Sequence, residues 1–153
     1  MNVLISACLL GLACRYDGQS KAYSAIEALW KETDIHLIPF CPEQGGGLAT
    51  PRDPAERQGD AVRTQSGRDV TEQYHRGAAM ALNLAQTFGC TVAVLKEKSP
   101  SCGSGRIYDG TFTRTLTAGD GVTAELLKRH GIAVVGESQI EAFLANCTGK
   151  YRI

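Results

Sequence analysis

The sequence predicts an α/β fold, a Rossmann-like three-layer domain with a mostly parallel sheet and its site at the carboxyl ends of the strands. Three observations carry this. Short apolar runs at Val3-Ser6, Leu37-Phe40, Val92-Leu95 and Ile132-Val135 alternate with helix-patterned segments. The runs are largely continuous rather than alternating, as in strands buried on both faces. Each of the first three is followed by a cysteine and loop chemistry: Cys8, Cys41 and, past a short loop, Cys102.

The elements follow in order. After the first strand, residues 11–19 read as a loop, with Asp17-Gly18 as its turn signal. Ser24 and Glu27 form a capping-box pattern for a helix that carries Ile26, Leu29 and Trp30 toward the core. The second strand is followed by a long irregular stretch to about Val70, with Gly45-Gly46-Gly47, Pro51 and Pro54, the length of a functional loop. Val70 to Phe88 is the longest helix, capped by Asp69 or Thr71, rich in alanine and stopped by Gly89. Beyond the third strand, Ser99-Pro100-Ser101-Cys102-Gly103 is a tight polar loop, and Asp109-Gly110 marks a hairpin turn. A helix from Thr123 ends near His130-Gly131, and a last helix opens at Glu137 or Ser138 and runs through Leu144.

A chain of 153 residues favours one domain, placed over 1–145 with a tail at 146–153. The 16 basic residues balance the 16 acidic ones, which removes the electrostatic footprint of sequence-independent nucleic-acid binding. No apolar run reaches membrane-spanning length and no signal-peptide pattern opens the chain, so a cytoplasmic protein with no membrane partner is expected. In that compartment the six cysteines point to metal, catalysis or plain burial rather than disulfides.

Parallel strands bring Cys8, Cys41 and Cys102 to one sheet edge, which suggests a cofactor with three protein ligands and one open position. A thiol-rich set suits zinc or an iron–sulfur cluster. Cys14 is a fourth ligand or a spare thiol, Cys90 packs in the core, and Cys147 lies away from the edge. Glu43, two residues past Cys41, can act as a general base, with the adjacent glycines allowing close approach of substrate. Ser99 and Ser101 offer hydroxyls beside Cys102, and Arg15, Arg52 and Lys98 are candidates to meet an anionic substrate. His36, His75 and His130 read as structural. Two other readings stay open: a non-catalytic thiol site that binds zinc or senses redox state, and a nucleotide-binding domain whose cysteines only pack.

Several motifs stand together in order: Ser6-Ala7-Cys8-Leu9-Leu10-Gly11, Cys14-Arg15-Tyr16-Asp17-Gly18, Cys41-Pro42-Glu43, Gly46-Gly47-Leu48, Thr50-Pro51-Arg52, Ser99-Pro100-Ser101-Cys102-Gly103 and Tyr108-Asp109-Gly110-Thr111-Phe112. In these the chain resembles the thiouracil desulfidase family over nearly its whole length. The resemblance implies a 4Fe-4S cluster held by Cys8, Cys41 and Cys102 with one open iron, and Glu43 and Ser99 as catalytic side chains. It implies non-redox removal of sulfur from small thiolated pyrimidines such as thiouracil, 4-thiouridine or 4-thiouridine monophosphate. Ser101, Arg15 and Arg52 are then the expected substrate-binding residues.

Overall fold

The structure, a computed structural model, describes residues 1–18 and 25–149. Four parallel strands form the central sheet: β1 (Asn2–Ser6), β2 (His36–Phe40), β5 (Val92–Leu95) and β8 (Ala133–Gly136), in the order β2-β1-β5-β8. The chain winds from β1 to β2 on one side, then crosses back to β5 on the other. The strand order therefore reverses beside β1, the place where open α/β sheets form their crevice.

Two cores make the sheet the middle of three layers. Val3, Ile5 and Val94 pack with Ile26 and Leu29 of α1 (Ala25–Trp30) and Ile140 of α5 (Ile140–Gly149). On the opposite face, Leu4, Ala93 and Leu95 pack with Ala81 and Ala85 of α3 (Thr71–Thr87) and Ala124 and Leu127 of α4 (Val122–Arg129). Adjacent residues Val3, Leu4 and Ile5 thus feed opposite cores, as the period of a strand requires. Among the described residues no helix is long and apolar enough to cross a membrane.

The predicted strands and long helices are present, with four corrections. Residues 41–70 are not one irregular loop: they hold a short helix, α2 (Pro42–Gly45), and an antiparallel hairpin of β3 (Ala55–Gln58) and β4 (Ala61–Thr64). The hairpin is polar in sequence, and its packing runs through Val62, which joins Val70, Tyr74, Ala78 and Val122 in a third small core. The hairpin signalled by Asp109-Gly110 exists as β6 (Arg106–Tyr108) and β7 (Leu116–Ala118), but its connection spans 109–115 rather than a two-residue turn. Trp30, at the end of α1, is 55% exposed, and buried Ile26 and Leu29, with Ala25 beside them, seat that helix. The last helix continues past Leu144 to Gly149. The capping box at Ser24 lies outside the described residues; at α3 the N-cap position falls on Val70 with no side-chain cap hydrogen bond, and Asp69, one position before it, accepts the Thr71 N–H at 2.9 Å.

Of the three glycines after Cys41, Gly46 serves a helix crossing. A Cβ on Gly77 of α3 would lie 1.8 Å from the Pro42 carbonyl oxygen, and one on Gly46 would lie 2.0 Å from that of Gln73. The two segments therefore meet backbone to backbone, which fixes α2 and Glu43 against α3. Helix propensity alone would favour Gly77→Ala by about 0.5–1 kcal/mol. The clash reverses the sign, and a net loss of about 1–3 kcal/mol is expected. Thermal unfolding reads this directly; an unchanged or raised midpoint would show that the crossing yields without cost.

Candidate active site

The carboxyl edge of the sheet opens into a cavity of about 500 Å³. Cys8 reaches it from the 3₁₀ turn over Ala7–Leu10 that follows β1, and Cys41 from the residue after β2, where it caps α2. Cys102 reaches it from the loop after β5. Parallel pairing of β1 with both β2 and β5 is what sets these three ends side by side. Cys14 lines the same cavity, and the Cys41 thiol lies 3.7 Å from the Cys14 carbonyl oxygen. All four thiols are free. Cys90 is buried in the core beside Leu4, as expected of a packing residue.

Burial pushes the Cys8 thiol up to about 11, and the neighbouring Cys41 adds to this, while Lys96 and Arg15 pull the other way. Burial, then Cys41, pushes Cys14 up to about 12. Cys102 is raised too, chiefly by burial, with the Ser6 hydroxyl opposing. Burial therefore favours the protonated thiols, and a metal centre that took them as thiolates would release protons. The donor set is soft and fits iron–sulfur chemistry. Among the described residues no three Cys, His, Asp or Glu side chains close on a point that would hold a single ion.

Glu43, on the first turn of α2, is the best-held carboxylate at the cavity. One oxygen accepts the Tyr74 O–H at 2.7 Å, and the other is paired with Arg52. Arg52 is itself locked: it also donates to the Cys14 carbonyl at 3.0 Å, the Ala49 carbonyl at 3.1 Å and the Thr50 hydroxyl at 3.0 Å. Its side chain is only 8% exposed and its Nε is buried without a partner. Burial alone would lower the Arg52 pKa; the Glu43 carboxylate outweighs this and holds it above its ordinary value. Burial, then Glu43, raises Tyr74 well above the usual phenol range, so it stays a hydrogen-bond donor.

Ser99 lines the cavity, and its Oγ accepts the backbone N–H groups of Ser101 and Cys102, each at 3.1 Å. Ser101 does not reach the cavity wall. It is fully buried, with its hydroxyl 2.8 Å from that of Thr123, and its carbonyl accepts the Thr123 N–H at 2.8 Å. It ties the Cys102 loop to the first turn of α4, behind the residues that line the cavity. Arg52, expected to meet substrate, lines the cavity with its guanidinium paired to Glu43. Arg15 remains at the cavity, 3.8 Å from Asp17 and with its guanidinium 5.8 Å from the centre of the Tyr16 ring. Lys98 also lines it.

Sequence reasoning missed Tyr74, Glu56, Lys96 and Glu137. Tyr74 carried one usable signal: a phenol on the buried face of an alanine-rich helix needs a hydrogen-bond partner. Lys96 pairs with the buried Glu137 at 2.7 Å, and Glu137 also accepts the Glu97 N–H, which pins the start of the Cys102 loop to the segment after β8.

Residues 3–139 match the family model described as 2-thiouracil desulfurase. The Bacillus subtilis (strain 168) protein YbbK, described as uncharacterized, is 43% identical over 152 residues, covering 93% of this chain and 99% of its own. A solved structure described as the [4Fe-4S]-dependent thiouracil desulfidase TudS superposes with a TM-score of 0.88 at 50% identity, over 96% of this chain and 97% of that one. The family match runs through every cavity-lining cysteine and Glu43, and the likeness extends nearly end to end, so this chain belongs to the 2-thiouracil desulfurase family.

Proposed function

We propose that this protein is a [4Fe-4S]-dependent desulfidase that hydrolyses thiolated pyrimidines, exchanging the thiocarbonyl sulfur for a water oxygen and releasing sulfide. The observation that carries the reading is one cavity walled by Cys8, Cys41 and Cys102 and by a carboxylate held on both oxygens. The solved neighbour described as a [4Fe-4S]-dependent thiouracil desulfidase supports it. Cys8, Cys41 and Cys102 would hold the cluster, with Cys14 as a spare thiol. When bound, a cluster with three protein ligands supplies an open iron, a soft Lewis acid for sulfur.

The chain's own residues do the rest. Glu43 takes the proton of the attacking water, since each of its oxygens keeps a lone pair beyond those used by Tyr74 and Arg52. Those two donors fix the carboxylate's plane and leave it no freedom to swing away. Ser99 has its oxygen occupied as acceptor by two backbone N–H groups, which leaves its O–H free to donate to a bound molecule, where it would deliver or relay a proton. The overall step is balanced without electron transfer: thiocarbonyl and water give carbonyl and hydrogen sulfide.

Of the cationic residues that line the cavity, Arg52 and Lys96 are paired with Glu43 and Glu137, and Arg15, Lys98 and Arg114 would meet the phosphate of 4-thiouridine monophosphate. The anaerobically reconstituted protein is expected to convert 4-thiouracil to uracil with release of sulfide, followed by loss of the near-ultraviolet thiobase band. Failure to turn over any thiolated pyrimidine with a full cluster complement would refute the proposal. Phosphate recognition predicts a kcat/KM at least about tenfold higher for the nucleotide than for the free base, the equivalent of one charge-assisted contact. Equal efficiency would remove the phosphate role while leaving the desulfidase reading intact.

A further inference from the structure

Among the described residues, all three non-glycine residues with left-handed backbone line this one cavity: Lys98 at φ 67°, Phe112 at φ 59° and Arg114 at φ 58°. Such conformations are unfavourable for a residue with a Cβ and persist only where the surroundings impose them. For Phe112 the imposing group is visible. Glu56 of β3, only 8% exposed, accepts the Gly110 N–H at 2.9 Å and the Phe112 N–H at 3.2 Å through one carboxylate oxygen. Gln58 of the same strand donates to the Gly110 carbonyl at 2.9 Å. Gly110, at φ 93°, sits so close to β3 that a Cβ would lie 2.7 Å from Gln58 Cγ and 3.0 Å from the Arg57 carbonyl oxygen.

The loop is braced from within as well. Asp109 accepts the N–H and the O–H of Thr111, and the hydroxyls of Thr111, Thr113 and Thr115 are chained at 2.6 and 2.8 Å. Burying a carboxylate is costly unless it is fully engaged. Here it is spent on two backbone groups of a half-exposed loop whose delivered side chain is an aromatic ring at the cavity. That placement is what the expenditure secures.

We propose that Phe112 is a specificity-determining residue whose ring stacks on the face of the pyrimidine, and that Glu56 is the positioning residue that holds it there. The inference rests on the reading of this cavity as a thiolated-pyrimidine site. It adds a residue of the β6–β7 connection, and the carboxylate behind it, to the binding surface.

The test uses reconstituted enzyme and two probes, turnover of 4-thiouracil and calorimetric binding of uracil. Phe112→Ala is expected to raise KM about tenfold and to weaken uracil binding by a similar factor, the loss of one base–aromatic stack. Its kcat should stay within about twofold, because stacking is shared by ground and transition states. Phe112→Tyr, which keeps a ring, should restore both constants. Glu56→Ala should reproduce the KM rise, and Glu56→Gln, which keeps an acceptor oxygen, should largely rescue it. Wild-type turnover with an unchanged KM and unchanged uracil binding in Phe112→Ala overturns this inference alone. A fall in kcat at constant KM overturns it too. A wild-type enzyme that processes no thiolated pyrimidine overturns the parent reading and this one with it. Should Glu56→Ala fold poorly, the Phe112 pair still decides.

Discussion

Serine at Cys8, Cys41 or Cys102 is expected to abolish both cluster loading and turnover, whereas Cys14→Ser should retain most of the iron. The four thiols line one cavity, so presence at the cavity does not separate them. Their placement does. Cys8, Cys41 and Cys102 follow the ends of the three adjacent parallel strands β1, β2 and β5, while Cys14 lies farther along the first loop and offers its backbone carbonyl to Cys41 and to Arg52. Iron and labile sulfide per chain after anaerobic reconstitution, with the visible absorbance of the cluster, read the difference without recourse to activity. An open iron requires three thiolates and no fourth. If Cys14→Ser lost iron as completely as the other three variants, the site would be a closed four-cysteine centre and the open-position argument would fail. If all four variants kept their iron, the ligand assignment itself would fail.

What the sequence made legible was whatever depended on local pattern. Continuous apolar runs identified the sheet, and with the sheet came the shared edge of the three cysteines. What depended on partners distant in sequence was not readable. Arg52 looked like an available cation, because nothing in Thr50-Pro51-Arg52 reveals that the loop folds back on Glu43 and buries the guanidinium. Ser101 looked equivalent to Ser99, yet the turn between them sends one hydroxyl to the cavity and the other to Thr123, 22 positions away. The β3–β4 hairpin was hidden because Glu56, its innermost charged residue, is stabilised by backbone N–H groups of a loop more than 50 positions on. Its turn, Gly59-Asp60, was nonetheless a fair hairpin signal between strand-length segments. The roles of Glu43 and Ser99 came from family resemblance, and the structure contributes their surroundings: a donor on each oxygen of the one, and two N–H groups on the oxygen of the other.

Replacing Glu43 by glutamine should lower kcat about 10²- to 10⁴-fold, the range for losing a positioned proton acceptor. The choice of variant matters. Glu43→Ala would leave Arg52 buried and unpaired, and breaking one partner of such a pair costs about 3–5 kcal/mol. With the Arg52 side chain 8% exposed, loss of activity in that variant would mix chemistry with unfolding. Glutamine keeps an oxygen for one of the two donors and the shape of the side chain, while removing the lone pair basic enough to take a proton from water. KM and iron content should therefore stay near wild type while kcat falls; the unfolding midpoint should drop, but less than in Glu43→Ala, because Arg52 loses its counter-charge yet keeps a hydrogen-bond acceptor. Tyr74→Phe supplies the graded comparison: it removes one hydrogen bond to the carboxylate but not its charge, and a loss on the order of tenfold is expected. A proton acceptor held in place by Tyr74 requires that order, glutamine far below phenylalanine and both below wild type. Glu43→Gln with kcat within about twofold of wild type and a full cluster would show that the proton leaves by another route. Tyr74→Phe as damaging as Glu43→Gln would mean that the phenol acts at the reacting atoms rather than through the carboxylate.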